Sequence, residues 1–287
     1  MASPRRYRLN LACPDRVGIV AAVSTFVAKH NGWILEAQHH ADQPAQRFFM
    51  RQEILADSLP FESVDAFRDA FGAIAHEFQM EWNITDSAQK PRVVVLVSKP
   101  DHCLYDLFAR WRSGELDIDI PCVISNHNIF RDFVEWHGIP YHHIPVKKEN
   151  KQDAFDKIAY LFDDAQGDVM VLARYMQILS PEICARYPKR IINIHHSFLP
   201  SFIGAKPYHQ AYNRGVKLVG ATCHYVTDDL DEGPIIEQDV IRVDHSDSID
   251  DIVRYGRDIE KTVLARGLRY HLEDRVFVYG NKTVVFR

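Results

Sequence analysis

The sequence predicts an α/β protein of two domains. An N-terminal ferredoxin-like domain of order βαββαβ is expected over residues 1–85, and a doubly wound, mostly parallel Rossmann-like domain over residues 92–287. Three observations predict this: strands flank amphipathic helices in the first 85 residues, short continuous apolar runs recur later, and a polar segment ending in Pro91 separates the two regions. With 287 residues, 46% of them hydrophobic, the chain can bury a sizeable core.

In the first domain, alternation predicts four strands, over Tyr7–Cys13, Trp33–Ala41, Arg47–Leu55 and Met80–Thr85. An apolar-periodic helix is predicted from Ile19 to His30, ended by Asn31-Gly32, because both residues tolerate positive φ. A second helix follows from apolar residues at spacings of three and four, namely Val64, Phe67, Phe71, Ile74 and Phe78. Residues 86–91 are the predicted linker, because their polarity and Pro91 stop regular structure.

In the second domain, continuous apolar runs predict strands that are covered on both faces. They occupy Arg92–Ser98, Ile118–Ser125, Tyr141–Ile144, Val169–Leu172 and Ile191–Ile194, with helix-like stretches between most of them. Gly220–Val226 and Pro234–Val243 are predicted to form an antiparallel pair. A closing helix from about Ser248 to His271 should bury Ile252, Ile259, Val263 and Leu264. Ligands of such sheets sit beyond the carboxyl ends of the strands.

The composition and charge of the chain argue against two classes of partner, nucleic acids and membranes. A net charge of −5 with scattered basic residues gives no reason to expect a nucleic-acid partner. No apolar run reaches the roughly 20 residues that span a bilayer, and the charged N-terminus does not resemble a secretion signal. Five cysteines without CxxC spacing indicate reduced packing residues. We therefore expect a cytoplasmic protein with no membrane partner.

The densest polar cluster begins where the predicted strand Ile191–Ile194 runs out. Period-two alternation places Asn193 and His195 on one side of the chain, whereas His196 points to the other side. About 30 residues later an acidic loop, Asp228–Glu232, follows a strand. A carboxylate from this loop could orient or charge the histidine.

Three blocks in this region resemble the signature of the folate-dependent formyltransferase superfamily. They are Asn193-x-His195-x-Ser197-x-Leu199-Pro200, Gly220-Ala221-Thr222-x-His224-x-Val226 and Asp231-x-Gly233-Pro234-Ile235-Ile236-x-Gln238. The resemblance covers nearly all of residues 92–287, and the segment Tyr175–Pro181 is similar to the pterin-binding segment of that superfamily. The first 85 residues resemble an ACT domain.

The resemblance implies the roles of individual residues. Asn193 would donate to the formyl oxygen, His195 would act as an acid or electrostatic group, and Asp231 would be its carboxylate partner. The implied folate-binding residues are Met176, Gln177, Ile178, Leu179, His224, Thr227 and Asp228. The loop that contains Gly204, Lys206 and His209 is a candidate to face the substrate. No cofactor and no metal are required, since 10-formyltetrahydrofolate would be the substrate.

The acceptor of the formyl group is read from the segment Ser98–Leu104, which contains no glycine. Relatives that formylate a ribonucleotide hold its phosphate on a glycine-rich loop at this position, and Asp101 would repel a phosphate. Water is therefore the expected acceptor, and hydrolysis would yield tetrahydrofolate and formate, balancing the folate pool and supplying formate for purine synthesis. A transferase to a small amine stays open as the alternative. Relatives that formylate a charged initiator tRNA usually carry a further domain after the catalytic one. The sequence as given leaves no room for such a domain, so a transfer RNA is not the expected substrate.

Other interpretations concern both domains. His195, His209, His224 and Asp231 could be imagined as a zinc site, although their spacing matches no metal motif. The chain could also be a non-catalytic sensor of folate and an amino acid.

The ACT-like region could be purely structural or dimerising, or could bind an effector such as glycine or methionine. The implied effector residues are Asp15, Arg16, Gly18, Ile19 and Asn31. ACT domains commonly pair, so a homo-oligomer is expected.

Overall fold

The computed structural model describes residues 4–201 and 207–287. These residues form two compact units. The first runs to Lys90 and also includes Glu273–Phe277 and Val284–Arg287, and the second consists of Pro91–Leu272 and Val278–Thr283. No helix in the described ranges combines the length and the apolar character needed to cross a membrane.

The first unit has the expected order of strands and helices. Its elements are β1 (Arg6–Pro14), α1 (Ile19–Lys29), β2 (Ile34–Asp42), β3 (Arg47–Leu55), α2 (Val64–Glu77) and β4 (Glu81–Asp86). The strands form a four-stranded sheet in the order β2-β3-β1-β4, and every neighbouring pair is antiparallel. A short 3-10 helix, Ala56–Ser58, follows β3.

Helix α2 shows why the sequence pattern produces this unit. The Ser63 side chain accepts a hydrogen bond from the Ala66 amide, so the helix begins with one of its free N–H groups satisfied. Apolar residues three or four positions apart then face the sheet, and Phe67 and Phe71 are fully buried. Each such ring contributes about 1.5–3 kcal/mol of burial free energy.

Part of the C-terminal segment belongs to a different unit from the one that the sequence predicts. The sequence assigned all of residues 92–287 to the second domain, whereas Glu273–Phe277 and Val284–Arg287 belong to the first unit. The physical reason lies at Arg51, whose side chain is fully buried and donates two hydrogen bonds to the Glu273 carbonyl. Phe277 adds an edge-to-face ring contact with Phe49.

The second unit begins with alternating strands and helices. The elements are β5 (Val93–Val97), α3 (His102–Ser113), β6 (Val123–Ser125), α4 (Arg131–Trp136), β7 (Tyr141–His143), α5 (Lys151–Asp164), β8 (Val169–Leu172), α6 (Pro181–Arg186) and β9 (Ile191–His195). They are followed by α7 (Pro207–Arg214), β10 (Leu218–Tyr225), β11 (Ile235–Arg242) and α8 (Ile249–Leu272). Two final strands, β12 (Val276–Tyr279) and β13 (Lys282–Val285), pair with each other.

Seven strands of this unit form one mixed sheet in the order β11-β10-β9-β8-β5-β6-β7. The strands β9, β8, β5, β6 and β7 run parallel, and β10 and β11 are antiparallel, as the sequence predicts. Strand β6 is shorter than predicted, because Pro121 interrupts the run and regular pairing starts after it. The order reverses between β5 and β8, which is where doubly wound sheets bind ligands.

Candidate active site

A cavity of about 550 Å³ lies at the carboxyl ends of β8 and β9. The segment that follows β8, the end of β9 and the loop that follows β10 form its walls. Its volume falls within the range of small-molecule sites. The cavity therefore occupies the position at which a sheet of this topology is expected to bind its ligand.

Asn193 and His195 both line this cavity, as the alternation of β9 predicts. Strand β10 places two further polar residues beside them, because His224 is the register partner of Asn193 and Thr222 that of His195. His195 is 5% exposed, so its imidazole lies largely out of water.

Asp231 reaches this cluster from the loop between β10 and β11. Its carboxylate oxygen Oδ2 lies 3.2 Å from His195 Nδ1, and Oδ1 lies 3.7 Å from His224 Nε2. Burial opposes ionisation of Asp231, but the hydrogen bond with His195 and the nearby imidazoles outweigh it, and its pKa lies below the ordinary value. The carboxylate is therefore charged at neutral pH.

The loop can bring Asp231 this close because of two backbone features. Asp231 adopts a φ of 58°, a left-handed conformation in which Asp is enriched. Two residues later, a Cβ on Gly233 would lie 1.8 Å from the Tyr225 carbonyl oxygen, so only glycine fits there. The spacing between the aspartate and the glycine in the sequence block thus has a steric cause.

His224 determines how the Asn193 amide is oriented. His224 Nδ1 lies 2.9 Å from the Tyr225 carbonyl oxygen, which can only accept, so Nδ1 carries the proton. Burial lowers the pKa of His224, which favours the neutral ring. Its Nε2 then accepts a hydrogen bond from Asn193 Nδ2 at 3.2 Å, and the second N–H of that amide is left for a ligand.

The protonated nitrogen of His195 is likewise fixed by a hydrogen-bond partner. With the proton of Nδ1 directed at Asp231, Nε2 is the free nitrogen of the ring, and it has no hydrogen-bond partner within the described residues. An amide donor and an imidazole nitrogen thus line the same cavity. This arrangement can polarise a carbonyl group and move a proton next to it.

The loop after His195 is fastened to the neighbouring strands by Thr222. The buried hydroxyl of Thr222 donates to the Ser197 carbonyl at 2.8 Å and accepts from the Leu199 amide at 3.1 Å. Gln238 Nε2 also donates to this hydroxyl, at 2.9 Å, and to the Leu199 carbonyl at 3.0 Å. These contacts give the second and third sequence blocks a structural role around the strand end.

The seven residues that the resemblance linked to folate all line the cavity, namely Met176, Gln177, Ile178, Leu179, His224, Thr227 and Asp228. Met176 and Ile178 leave 51% and 58% of their surface exposed, and Leu230 on the facing loop leaves 50% exposed. Exposed apolar side chains gathered at a cavity indicate a ligand surface rather than core packing.

The described residues give no support to the predicted substrate loop or to the zinc hypothesis. Gly204 and Lys206 lie outside the described residues. His209 is an exposed residue of α7 and does not line the cavity, so the structure does not bring it to His195, His224 and Asp231.

Two basic residues of the cavity, His196 and Arg174, are not among the predicted site residues. His196 was placed on the far side of the strand, yet it lines the cavity because β9 ends at His195 and the regular alternation stops there. Burial and the charge of Arg174 lower the pKa of His196 to about 3. Arg174 also lines the cavity, and it follows an apolar strand without a motif that would have marked it.

The glycine-free segment after β5 begins with a serine that hydrogen-bonds to two neighbouring loops. Ser98 Oγ donates to Asn126 Oδ1 at 2.6 Å and accepts from the Met176 amide at 2.9 Å. The start of this segment thus supports the cavity wall after β8.

All five cysteines are buried and unpaired, as predicted.

The five residues suggested as an effector site lie in the first unit around the start and the end of α1. Asp15 and Arg16 are exposed in the loop before the helix, and Arg16 stacks 4.2 Å from the centre of the Phe78 ring. Gly18 and Asn31 have φ values of 101° and 58°, and Ile19 is buried. The backbone conformations at Gly18 and Asn31 agree with the turn residues of the sequence.

Comparisons with known proteins agree with this architecture. The model of the Formyl transferase family matches residues 91–268. The formyltetrahydrofolate deformylase of Corynebacterium sp. (strain P-1) is 48% identical over 287 residues, which is the full length of both chains. The crystal structure of a formyltetrahydrofolate deformylase from Pseudomonas syringae pv. tomato has a TM-score of 0.97 and 64% identity, covering 99% of this chain and 95% of that one.

A second crystal structure, of formyltetrahydrofolate deformylase from Burkholderia mallei, has a TM-score of 0.93 and 48% identity, covering 99% of this chain and all of that one. These similarities extend over both units rather than the second alone. The chain therefore belongs to the formyl transferase family, within its group of formyltetrahydrofolate deformylases.

Proposed function

We propose that this protein hydrolyses 10-formyltetrahydrofolate to tetrahydrofolate and formate. The observation that carries the proposal is the cluster of Asn193, His195 and Asp231 at the end of β9, beside a cavity with an apolar wall. Full-length relatives at 45–49% identity that are named formyltetrahydrofolate deformylase support it.

In this proposal the free N–H of Asn193 donates to the formyl oxygen. His195 Nε2 takes a proton from a water molecule as the oxygen of that water bonds to the formyl carbon. Asp231 holds Nδ1–H and stabilises the imidazolium that forms. The resulting oxyanion keeps its hydrogen bond from Asn193, whose amide is already oriented by His224.

The second half of the reaction breaks the bond between carbon and N10. His195 returns the proton through Nε2 to the departing nitrogen, which leaves as the secondary amine of tetrahydrofolate. The carbon leaves as formic acid, which ionises to formate and releases the second proton of the water. One water molecule is consumed, no electrons are exchanged, and the enzyme returns to its starting protonation state.

The apolar wall is the proposed site of the pterin ring. Met176, Ile178 and Leu179 would contact its faces, while Gln177, Thr227 and Asp228 supply polar groups for its edge. Burying apolar surface that now faces solvent would provide binding free energy at about 25 cal/mol per Å². The reaction as written requires neither a metal nor an organic cofactor.

Water rather than an amine is the proposed acceptor. The segment after β5 contains no glycine, and its Ser98 hydroxyl already bonds with Asn126 and Met176. A phosphate-bearing acceptor would need free backbone amides in this place. The glycine-free segment therefore favours hydrolysis over transfer to a small amine.

We further propose that the first unit is an ACT-type, ferredoxin-like regulatory module. The antiparallel strand order β2-β3-β1-β4 and the exposed turn from Asp15 to Gly18 support this assignment. An amino acid such as glycine or methionine is the proposed effector, and pairing of modules in a homo-oligomer would complete the effector site.

Incubation of the purified protein with 10-formyltetrahydrofolate and no amine tests the main proposal. Stoichiometric formate and tetrahydrofolate are expected, and the oxygen of ¹⁸O-labelled water should appear in the formate. An amine acceptor added at millimolar concentration should leave the rate unchanged. Absence of formate without an amine, and its replacement by a formylated amine when one is added, would instead establish a transferase.

A further inference from the structure

Arg174 stands at the sheet edge that carries the reacting groups. On the parallel pair β8–β9, Leu172 is the register partner of Asn193, so Arg174, two residues further, leaves the sheet level with His195. Among the described residues that line the cavity, it is the one Lys or Arg. The other charged groups around the cavity are Asp228, Asp229 and Asp231.

The guanidinium of Arg174 has few partners. Its Nε lies 3.3 Å from Glu260 Oε2, and within the described chain the group makes no hydrogen bond. The side chain is 11% exposed, and its Nε is buried without a hydrogen bond. A guanidinium carries five N–H donors in a planar fork, which is the geometry that binds a carboxylate through two bonds.

Glu260 supports this arginine from behind. Its side chain is 1% exposed and lies on α8. His102 Nε2, from α3, is 2.8 Å from Glu260 Oε2, and the hydroxyl of Tyr208, from α7, donates to Oε1 at 2.7 Å. Burial alone would keep Glu260 protonated, but His102, Arg174 and Tyr208 outweigh it and hold its pKa below the ordinary value. The carboxylate is therefore a fixed negative charge.

Two alternatives for this cluster are weaker. His102, Cys103 and Glu260 lie close enough to hold a metal ion, but the positive charge of Arg174 is 3.3 Å from the shared carboxylate and opposes a cation there. A purely structural ion pair does not require the guanidinium to line the cavity, and it leaves the buried Nε of Arg174 without a hydrogen bond.

We propose that Arg174 binds the carboxylate of the formate product, and that Glu260 is its positioning residue. The choice of formate rests on the proposed hydrolysis. That reaction creates a new anion in a cavity lined by three aspartates, and a cation at the cavity wall can hold this anion away from the N10 amine that has just departed. Because Glu260 neutralises part of the charge on Arg174, the product binds weakly enough to be released.

Formate binding can be measured without turnover by the line width of [¹³C]formate in the presence of the purified protein at constant ionic strength. Formate has three non-hydrogen atoms, so its affinity is limited to the millimolar range. Arg174→Gln should weaken binding at least tenfold. The matched control is Arg254→Gln on α8, an exposed arginine paired with Asp251 that does not line the cavity. It should bind formate like the wild type.

Glu260→Gln provides a test of opposite sign. The amide keeps the shape and can still accept from Tyr208, but it removes the negative charge beside Arg174. Formate should then bind several-fold more tightly than to the wild type, which loss of a merely structural pair would not produce. Equal or weaker binding in this variant would overturn the role of Glu260.

The remaining outcomes are also decisive. Unchanged formate binding in Arg174→Gln, or no binding by the wild type, would overturn the assignment of Arg174. Near-wild-type circular dichroism and binding of a 10-formyl folate analogue would show that the variant is folded. Since the line width needs no catalysis, failure of the hydrolase assay would refute the proposed function alone, and failure of formate binding would refute this inference alone.

Discussion

Asp231 Oδ2 lies 3.2 Å from His195 Nδ1, although 35 residues and two strand ends separate the pair along the chain. The contact fixes which ring nitrogen carries the proton and leaves His195 Nε2 free at the cavity. Asp231→Asn keeps the size of the side chain but removes its charge, and the amide can present a donor to a nitrogen that also donates. We predict a loss of about two or more orders of magnitude in kcat for formate release.

His195→Ala should cost about the same, roughly two or more orders of magnitude, because it removes the only ring nitrogen that the mechanism uses for proton transfer. KM for the folate should change little in both variants, since the apolar wall is untouched. Steady-state kinetics with formate as the readout checks both. Near-normal kcat in either variant would refute the role given to that residue.

In the proposed mechanism His224 acts through Asn193, whose amide contacts its Nε2. His224→Phe removes the acceptor for Asn193 Nδ2, and the amide becomes free to rotate. We predict a loss of about tenfold in kcat, against about a hundredfold or more for Asn193→Ala. Because the two residues act through one hydrogen bond, the double variant should be no slower than Asn193→Ala alone. Additive losses would show that His224 has an independent role.

Thr222→Val tests the anchoring of the loop after His195. The substitution keeps the shape but leaves the Leu199 amide and Gln238 without their acceptor in a buried place. The free energy of unfolding should fall by about 1–3 kcal/mol in denaturant titrations. Gln238→Leu in the same background should restore part of it, because it removes one of the stranded donors.

Arg51 is the corresponding test of the first unit. Its fully buried guanidinium lies 3.0 Å from Glu36 and contacts Glu53, and it also bonds with the Glu273 carbonyl. Arg51→Leu leaves buried Glu53 short of a partner, so we predict a loss of roughly 3–5 kcal/mol in the free energy of unfolding. Arg254→Gln, which breaks an exposed pair, should cost at most about 1 kcal/mol.

Much of this architecture could be predicted from local patterns. Apolar spacing identifies helices α2 and α8, and alternation along β9 brings Asn193 and His195 together, because these signals depend on neighbours a few residues away. Asp231 could be chosen over Asp228 and Asp229 only through the family resemblance. Its left-handed backbone and the close approach at Gly233 bring its carboxylate to His195, and neither feature can be read from the residue type.

The features that the sequence did not predict depend on long-range contacts. Arg174 and Glu260 are 86 residues apart and meet only because α8 packs on the sheet. In the sequence, Glu260 is a single acid in an amphipathic helix, and such residues usually face water. The grouping of Glu273–Phe277 with the first unit has the same origin, since the buried donor that holds this segment is Arg51.

A final prediction concerns the pH dependence of stability. The Tyr225 hydroxyl lies 2.8 Å from His271 Nδ1, and burial lowers the pKa of His271 to about 4. In the unfolded chain the pKa of histidine is about 6.5. Between these values the unfolded state binds a proton that the native state does not, so stability falls as the pH falls from about 6.5 towards 4, and it changes little with this group above or below that window.

The slope attributable to His271 should reach at most about 1.4 kcal/mol per pH unit. Denaturant titrations between pH 4 and 8 would measure it. His271→Gln should reduce the slope in this window, while His245→Gln, at an exposed position, should leave the slope as it is. The lowered pKa values of His196 and His224 supply slope of the same sign, so part of it should remain. The lowered pKa of Asp231 acts in the same direction but at a lower pH, because its contribution is lost only as the pH falls below about 4. A slope that persists unchanged in His271→Gln would mean that this ring is protonated in the native state.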